Sequence, residues 1–387
     1  MIEKIKQLAE QNFQEIVEIR RHLHQHPELS FQEFETSKYI QKKLSEWNIE
    51  FTSGHVKTGI VAYVKGKNPN KKCVALRADI DALPIQELND LSFASKNKGV
   101  MHACGHDVHT SSLLGAIKIL NELKNEFEGT IKCIFQPAEE VLPGGASLMI
   151  KEGVLENPKP ITILGQHVYP ELEAGKVGFK KGQYMASTDE IYLTIKGKGG
   201  HAALPFKLKD PVLAMAQIIV ALQQVVSRCA KPNIPSVLSF GKVTANGATN
   251  IIPNEVYVEG TFRTFDEEWR KQAHEHIKRI AENTARAMGV ECDVKIDVGY
   301  PFLVNDDDTT QKCIDAAKEF LGEENVVDLE FRMTAEDFAY YSQIIPACFY
   351  RLGTSDSTGL HTPTFMVDEN ALKTGMGVMA YLAIKNN

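Results

Sequence analysis

The chain has 387 residues, 43% of them hydrophobic and 24% charged, with a formal net charge of −7. That length exceeds one ordinary core and predicts two domains, while the apolar fraction excludes a disordered chain. The acid excess, with no Lys/Arg-rich block, excludes nucleic acid as a partner.

The chain begins MIEKIKQLAEQNF, where charges alternate with isolated apolar residues, so no secretory h-region is expected. No stretch reaches the roughly 18 consecutive apolar residues that a membrane span needs, so no membrane partner is expected. Ile2, Ile5, Leu8, Ile16, Ile19 and Leu23 recur at helical spacing over residues 2–25. Short apolar runs follow at 59–64 (GIVAYV), 73–80 (CVALRADI), 130–135 (TIKCIF) and 161–168 (ITILGQHV). Each is rich in Val or Ile and lacks clean alternation, as expected of strands buried on both faces. Helical segments between them, notably 108–125 and 146–155, predict an α/β domain with a largely parallel sheet.

The middle reads differently. A strand is expected at 188–197, then a helix opened by Asp210-Pro211 and running to about 229, with Pro in its first turn. Strands near 236–244 and 255–263 precede a charged helix at 266–288 that stops at Gly289, and a last strand covers 291–298. The order βαββαβ is the ferredoxin-like pattern. After 300 the α/β alternation returns: helix 307–321, strand 325–331, helix 335–344, strand 347–352 and helix 368–385. One discontinuous domain, 1–181 plus 297–387, is therefore expected to carry an inserted domain at 182–296. The seven cysteines are odd in number and scattered, which fits reduced thiols in a cytoplasm better than a disulfide framework.

Four places carry chemistry. MHACGHDVHT at 101–110 packs Cys104, His106, Asp107 and His109 into six residues where a loop opens a helix. Thiolate and imidazole are preferred ligands of zinc-like metals, although a helix cap with incidental histidines reads equally well on its own. FQPAEEVLPGG at 135–145 places Glu139 and Glu140 just past an apolar strand. One carboxylate can bind metal while the other moves a proton for an attacking water, yet an acidic pair is also common as a solvated feature. His167 closes the strand 161–168, and His361 lies in a polar loop before the last helix. A single histidine is usually a satisfied polar residue. Four independent hits at strand ends and loops favour a metal centre.

These motifs resemble the metallopeptidase family of the aminoacylases, glutamate-releasing zinc carboxypeptidases and succinyl-diaminopimelate desuccinylase. The nearer likeness is to its amidohydrolase branch: hippurate hydrolases, N-acyl-amino-acid amidohydrolases, N-acetyldiaminopimelate deacetylases and plant auxin-conjugate hydrolases. The likeness runs through RRHLHQHPELSFQE, LRADIDALPI, HACGHDVHT, FQPAEE, GQHV, GKGGHAALP, TNIIPNEVYVEGTFRTF, AEDFAYY and LHTPTF. It implies an α/β, zinc-peptidase-like catalytic domain plus an inserted ferredoxin-like lid that makes a homodimer. It also implies two divalent metal ions per subunit, Zn2+ or Mn2+ with Ni2+ or Co2+ as options, and an N-acyl amino acid as the small-molecule substrate. Cys104, His106, Glu140, His167 and His361 match the branch's five metal ligands, with Cys104 the bridging candidate. Glu139 matches its general base, His201 a residue that steadies the oxyanion, and Asn250 and Arg263 substrate contacts.

Peptidase members of the wider family carry a metal-binding His two residues before an Asp on an early strand. Here that stretch reads Arg77-Ala78-Asp79, so Asp79 and Asp81 are expected to orient ligands by hydrogen bonds, and Asp107 and His109 to sit behind the ligands or cap the helix. Relatives often have His after the proline of GGHAA-x-P, where this chain has Phe206. The competing readings are a dipeptidase or carboxypeptidase of the same family, a cysteine-nucleophile enzyme built on Cys104, and a non-catalytic metal-binding protein.

Overall fold

The structure is a computed structural model that describes residues 1–355 and 358–387. It divides into two compact units: Met1–Tyr184, Val304–Phe331 and Glu336–Asn387 form the first, and Met185–Leu303 with Arg332–Ala335 form the second. Each has its own apolar core.

The first unit opens with two helices, α1 (Ile2–Gln25) and α2 (Phe34–Glu46), and a hairpin of β1 (Glu50–His55) and β2 (Gly59–Lys65). Next come β3 (Cys73–Asp79), α3 (His106–Glu122), β4 (Thr130–Gln136), α4 (Gly145–Lys151) and β5 (Thr162–Tyr169). The short β6 (Val177–Phe179) and β7 (Gly182–Met185) lead out of it. The second unit holds β8 (Asp189–Lys196), β9 (Gly200–His201), α5 (Pro211–Leu222), β10 (Ser236–Thr244), β11 (Ile251–Ile252), β12 (Glu255–Thr264), α6 (Glu267–Ala287) and β13 (Glu291–Val298). The return brings β14 (Leu303–Asn305), α7 (Asp307–Leu321), β15 (Val326–Asp328), α8 (Ala339–Ser342), β16 (Ala347–Gly353) and α9 (Ala371–Asn386).

The first unit's sheet has eight strands in the order β1-β2-β4-β3-β5-β16-β6-β15. Its centre is parallel: β4, β3, β5 and β16 all run the same way, with antiparallel pairs only at β1/β2, β2/β4 and β16/β6. Every residue of β3, β4 and β16 is buried, which explains why these runs lack alternation. Helices α1, α3 and α9 pack together on this unit, and Gly115 of α3 allows close approach, since a Cβ there would lie 2.8 Å from that of Met376 on α9. The carboxyl ends of the four central strands open on one edge, where α/β sheets build sites. Asp79, Gln136 and His167 lie at or near those ends.

The second unit shows the alternation expected of a sheet with one covered face. In β8 the residues Ile191, Leu193 and Ile195 are buried while their neighbours are not. Its four strands run β10-β12-β8-β13, all antiparallel, with α5 and α6 against them. This is the ferredoxin-like order.

Local differences have physical causes. The helix expected to reach residue 229 runs as α only to Leu222 and finishes in a wide π turn, Val225–Cys229. Pro211–Cys229 as a whole is long and apolar enough to cross a membrane by length and composition. Here Ala214, Ile218, Leu222 and Val225 form a buried stripe on the sheet, with the i, i+4 spacing of an amphipathic packing face. The helix expected at 335–344 shrinks to Ala339–Ser342, because the residues before it leave helical geometry to bring Glu336 and Asp337 to Arg77. All seven cysteines are free.

One buried ion pair organises the second unit. Asp189, fully buried, accepts from Arg270 at 2.6 Å and pairs with His274 at 2.7 Å, while Arg270 also donates to the carbonyls of Thr188 and Gly299. Burial opposes the charge on Asp189, but His274 and Arg270 overcome it and hold the carboxyl below its ordinary value. Arg270→Met should therefore lower unfolding stability by about 3–5 kcal/mol, read by urea denaturation. The Asp189 contribution is full above the ordinary carboxylate pKa of about 4 and is lost as pH falls through the lower folded value. The gap between variant and parent should close in acid.

Candidate metal centre

Five side chains converge at the carboxyl edge of the first unit's sheet. Gly105, at φ +79°, turns the chain into α3 so that Cys104 and the first helical residue, His106, face the same space. The Cys104 Sγ lies 3.5 Å from His167 Nε2 and 3.3 Å from His361 Nε2. Glu140 Oε1 lies 3.8 Å from His106 Nε2 and 3.5 Å from His361 Nε2. His361 is held in the left-handed region (φ +59°), its amide donating to the Ala103 carbonyl.

Two atoms show that this set fits a cation. His106 Nε2 and Glu140 Oε1 are buried polar atoms with no hydrogen-bond partner among the described residues, an arrangement that costs free energy unless something else satisfies them. The other nitrogens of His106 and His167 are already committed elsewhere. His106 Nδ1 meets the Asp81 carbonyl at 2.9 Å and its carboxylate at 3.2 Å, and His167 Nδ1 meets the Val168 carbonyl at 2.8 Å. Each Nε2 is thereby aimed at the shared space. Cys104 with His106 and His167, and Cys104 with Glu140 and His361, form two donor groups compact enough to hold an ion each.

The charge states point the same way. Burial, with Arg351 and His109 behind it, pushes His167 well below the usual imidazole range, leaving a neutral ligand. The proximity of Cys104 and then Glu140 pushes His361 up to about 10. Burial opposes charge on His106, yet Asp79 and Cys104 raise it well above its ordinary value, while burial and then Glu140 raise the Cys104 thiol. Protons thus occupy positions that a cation would take, since ligands bind deprotonated.

The flanking residues separate into distinct jobs. His109 donates from Nδ1 to Asp79 at 2.6 Å and accepts the Val168 amide on Nε2 at 2.9 Å, so neither nitrogen is left for a metal. Asp79 thus braces His109 and stands 3.7 Å from His106. Asp107 touches none of the five donors; its carboxylate accepts from Arg20 and His24, each at 2.8 Å, and ties α3 to α1. Burial opposes that charge, but Arg20 and His24 hold the carboxyl well below its usual range. His102, in the same motif, is buried and lies in none of the donor groups.

Glu139 is 7% exposed and lies within reach of both His106 and Glu140. It also joins a buried acidic group with Glu336 and Asp337. Burial, then Glu336, Glu140 and Asp337, raise its carboxyl well above the ordinary range. Beneath them Arg77, 1% exposed, donates to Asp79 at 2.6 Å, Asp337 at 2.7 Å and Gln136 at 2.9 Å, and pairs with Glu336 at 3.0 Å. Sequence reasoning assigned no role to Arg77, Glu336, Asp337 or Glu33. The motifs AEDFAYY and HPELSFQE that contain three of them were the available signal.

The other expected residues belong to the second unit. His201 in β9 pairs with Ile251, and its Nδ1 accepts the Ala203 amide at 3.2 Å. Asn250 sits beside it, its carbonyl accepting the Ala202 amide at 3.0 Å. Arg263 stands near the far end of β12, eight residues and roughly 26 Å of strand from Glu255, with its Nε on Thr261 Oγ1 at 3.2 Å. The structure therefore brings His201 and Asn250 together and leaves Arg263 apart from them. Phe206 is 79% exposed in a single 3-10 turn, Pro205–Lys207.

Comparison with known proteins identifies kin. Residues 75–385 match the model of peptidase family M20/M25/M40. The chain is 43% identical to an N-acetylcysteine deacetylase of Bacillus subtilis over 95% of this chain and 96% of the relative. It is 42% identical to an N-acyl-L-amino acid amidohydrolase of Geobacillus stearothermophilus over 79% of this chain and 82% of the relative. A crystal structure of a Bacillus subtilis protein described as a dinuclear metal binding peptidase from the M20 family superposes with a TM-score of 0.84 at 39% identity, covering 97% and 98% of the two chains.

A divalent cation at about 100 times its Kd should stabilise the protein by about 2.7 kcal/mol in a thermal melt. Cys104→Ala and His361→Ala should each lose most of that shift, and the parent's shift should shrink as pH falls, because the donors must shed protons to bind.

Proposed function

The chain belongs to peptidase family M20/M25/M40, and from that premise we propose that it is a metal-dependent amidohydrolase that cleaves N-acyl amino acids into a carboxylic acid and an amino acid. The observation that carries this reading is the placing of a buried carboxylate, Glu139, beside a five-donor cradle rather than within it. In this reading Cys104, His106, Glu140, His167 and His361 would hold two divalent cations, Cys104 being the donor common to the two groups. Thiolate and imidazole donors favour zinc first, with manganese, cobalt or nickel as alternatives. When bound, the cations supply Lewis acidity for the acyl carbonyl and make water acidic enough to attack near neutral pH.

The residues do the rest. Glu139 takes a proton from the water as its oxygen bonds to the acyl carbon. It returns that proton to the amide nitrogen as the C–N bond breaks, so the acid keeps the hydroxyl oxygen and the amine leaves neutral. A carboxyl raised by burial and by its acidic neighbours is a stronger base than an ordinary one, which suits this exchange. His201 donates to the oxyanion, and Asn250 beside it contacts substrate. Arg263 stands apart from those two in the chain, and its guanidinium for the substrate carboxylate rests on the family resemblance alone. The relatives named as deacetylase and amidohydrolase support the acyl amino acid as substrate, and seven free thiols support a cytoplasmic location.

A homodimer through the second unit is part of the same proposal. β10 is an edge strand with Val243 47% exposed, and α5 presents Leu213 and Val220 at 52% and 69% exposure. An apolar edge and helix face of this kind are normally covered.

Amino-acid release should be measured on a panel of N-acyl amino acids and dipeptides, with protein loaded with zinc or manganese and with protein stripped by chelator. Metal-dependent release from acyl amino acids is expected, and release from dipeptides alone would move the chain to the peptidase reading. Glu139→Gln should retain its metal and lose about 10²–10⁴-fold in kcat. His201→Ala should retain metal and lose on the order of 10²–10³-fold. A Glu139 variant that turns over normally would end this mechanism.

A further inference from the structure

The base does not hold itself in place. Glu139 sits in the loop after β4, and the residue before it, Ala138, is buried at φ +53°, a conformation that a residue with a Cβ adopts only when its surroundings impose it. The Ala138 amide donates to Glu33 Oε1 at 2.9 Å, and its carbonyl accepts the Gly145 amide at 2.9 Å. On the other side of Glu139, the Glu140 amide donates to Asp81 Oδ2 at 3.0 Å. Two carboxylates from separate parts of the chain therefore grip the amides on either side of the base.

Glu33 is itself fully buried and, among the described residues, has no cation among its partners. Its Oε1 also accepts the Phe31 amide at 2.9 Å, and its Oε2 accepts the Thr58 hydroxyl at 2.8 Å. Burial first, and Asp81 next, push this carboxyl up to about 7. A buried acid stabilised only by neutral donors is a poor choice for stability alone. Its length and its paired lone pairs, though, let one oxygen catch two backbone amides from different segments.

We propose that Glu33 is a positioning residue for the hydrolysis: its carboxylate locks Ala138 in the left-handed conformation and so aims the Glu139 side chain at the cradle. This rests on the reading of Glu139 as the base. Glu33 touches no substrate; it acts through the backbone.

The test compares Glu33→Ala, Glu33→Gln and Thr58→Val in the metal-loaded enzyme, with the parent in the same assay. Glu33→Ala should lose on the order of 10²-fold in kcat, the cost of misplacing a reacting group by about 1 Å, with KM and metal content unchanged. Glu33→Gln should recover most of kcat, because its carbonyl still accepts both amides while its NH2 faces the Thr58 oxygen. Thr58→Val removes only the third bond and should leave kcat intact. Hydrogen exchange at the Ala138 amide, read by mass spectrometry against β3 as an internal reference, should quicken in Glu33→Ala and not in Glu33→Gln. Parental kcat in Glu33→Ala would overturn the proposal. So would a Gln variant as slow as the Ala variant, which would make Glu33 a proton or charge carrier. If the parent itself hydrolyses nothing, the functional reading fails instead, and the exchange comparison still decides whether Glu33 holds the loop. Unchanged exchange in Glu33→Ala would overturn the positioning role by itself.

Discussion

The buried Arg77 is the contact on which the site's floor depends. It lies in the middle of a fully buried strand and is 1% exposed, yet it meets Asp79, Glu336, Asp337 and Gln136. Burial opposes the charge on this guanidinium, but Glu336, Asp79 and Asp337 outweigh it and raise its pKa well above the ordinary value. Without it, several carboxylates would face one another in a medium of low dielectric, which folded proteins do not tolerate unpaired. The pairing also explains why the chain spends a would-be helix turn at 336–337 on reaching back to β3. Asp337 then accepts the Ala146 amide at 2.9 Å and both oxygens meet Gln136 at 2.8 Å, so one cation joins β3, β4, α4 and the turn before α8.

From that floor the constraint passes upward by hydrogen bonds. Arg77 fixes Asp79, Asp79 fixes the tautomer of His109, and His109 accepts the amide of Val168, next to His167. Asp81 does the same for His106 through its carbonyl and carboxylate. His106 and His167, each held through Nδ1, turn Nε2 towards the shared space, which is how proteins give a metal a prepared geometry. Arg77 is therefore a scaffold for the site and not one of its donors, and Cys104 is the softest donor in the cradle.

Much of this was legible in the sequence, and the rest was hidden for identifiable reasons. Lack of alternation in 73–80 and 130–135 disclosed strands buried on both sides, and the βαββαβ order from 188 to 298 disclosed the ferredoxin-like pattern. The cluster at 104–109 and the pair at 139–140 marked side chains that the structure brings together, because metal chemistry restricts residue types and spacing. Periodicity averages burial along an element, however, and says nothing about partners far apart in the chain. Arg77 and Asp337 are 260 residues apart, and Glu33 and Ala138 are 105; neither pairing leaves a local trace. The helix expected at 335–344 failed for the same reason, since a tertiary ion pair overrode local propensity. Asp107 carries the opposite lesson: adjacency to His106 in sequence put it beside a donor, but helical geometry turned it away towards Arg20 and His24.

The carboxylates of this edge fall into two groups whose proton affinities are shifted in opposite directions. Asp79, Asp81 and Asp107 are held ionised by imidazoles, Arg77 and Arg20, so burial does not neutralise them. Glu139, Glu336 and Asp337 share a single guanidinium among them and are all driven upward, Asp337 to about 8. Carboxyl groups in one site therefore differ in proton affinity because of which cations reach them, and a group poised to gain and lose a proton arises where acids outnumber cations. Glu140 stands at the boundary: its neighbour belongs to the acid-rich side, while its own oxygen points at His106 and His361. Two consecutive glutamates can take different roles only if the backbone between them is fixed, because a rotation of one peptide would exchange their environments. The left-handed turn at Ala138 and the paired amides flanking Glu139 supply that fixation, and this is why an α/β edge with a strained loop, rather than a helix face, carries the pair.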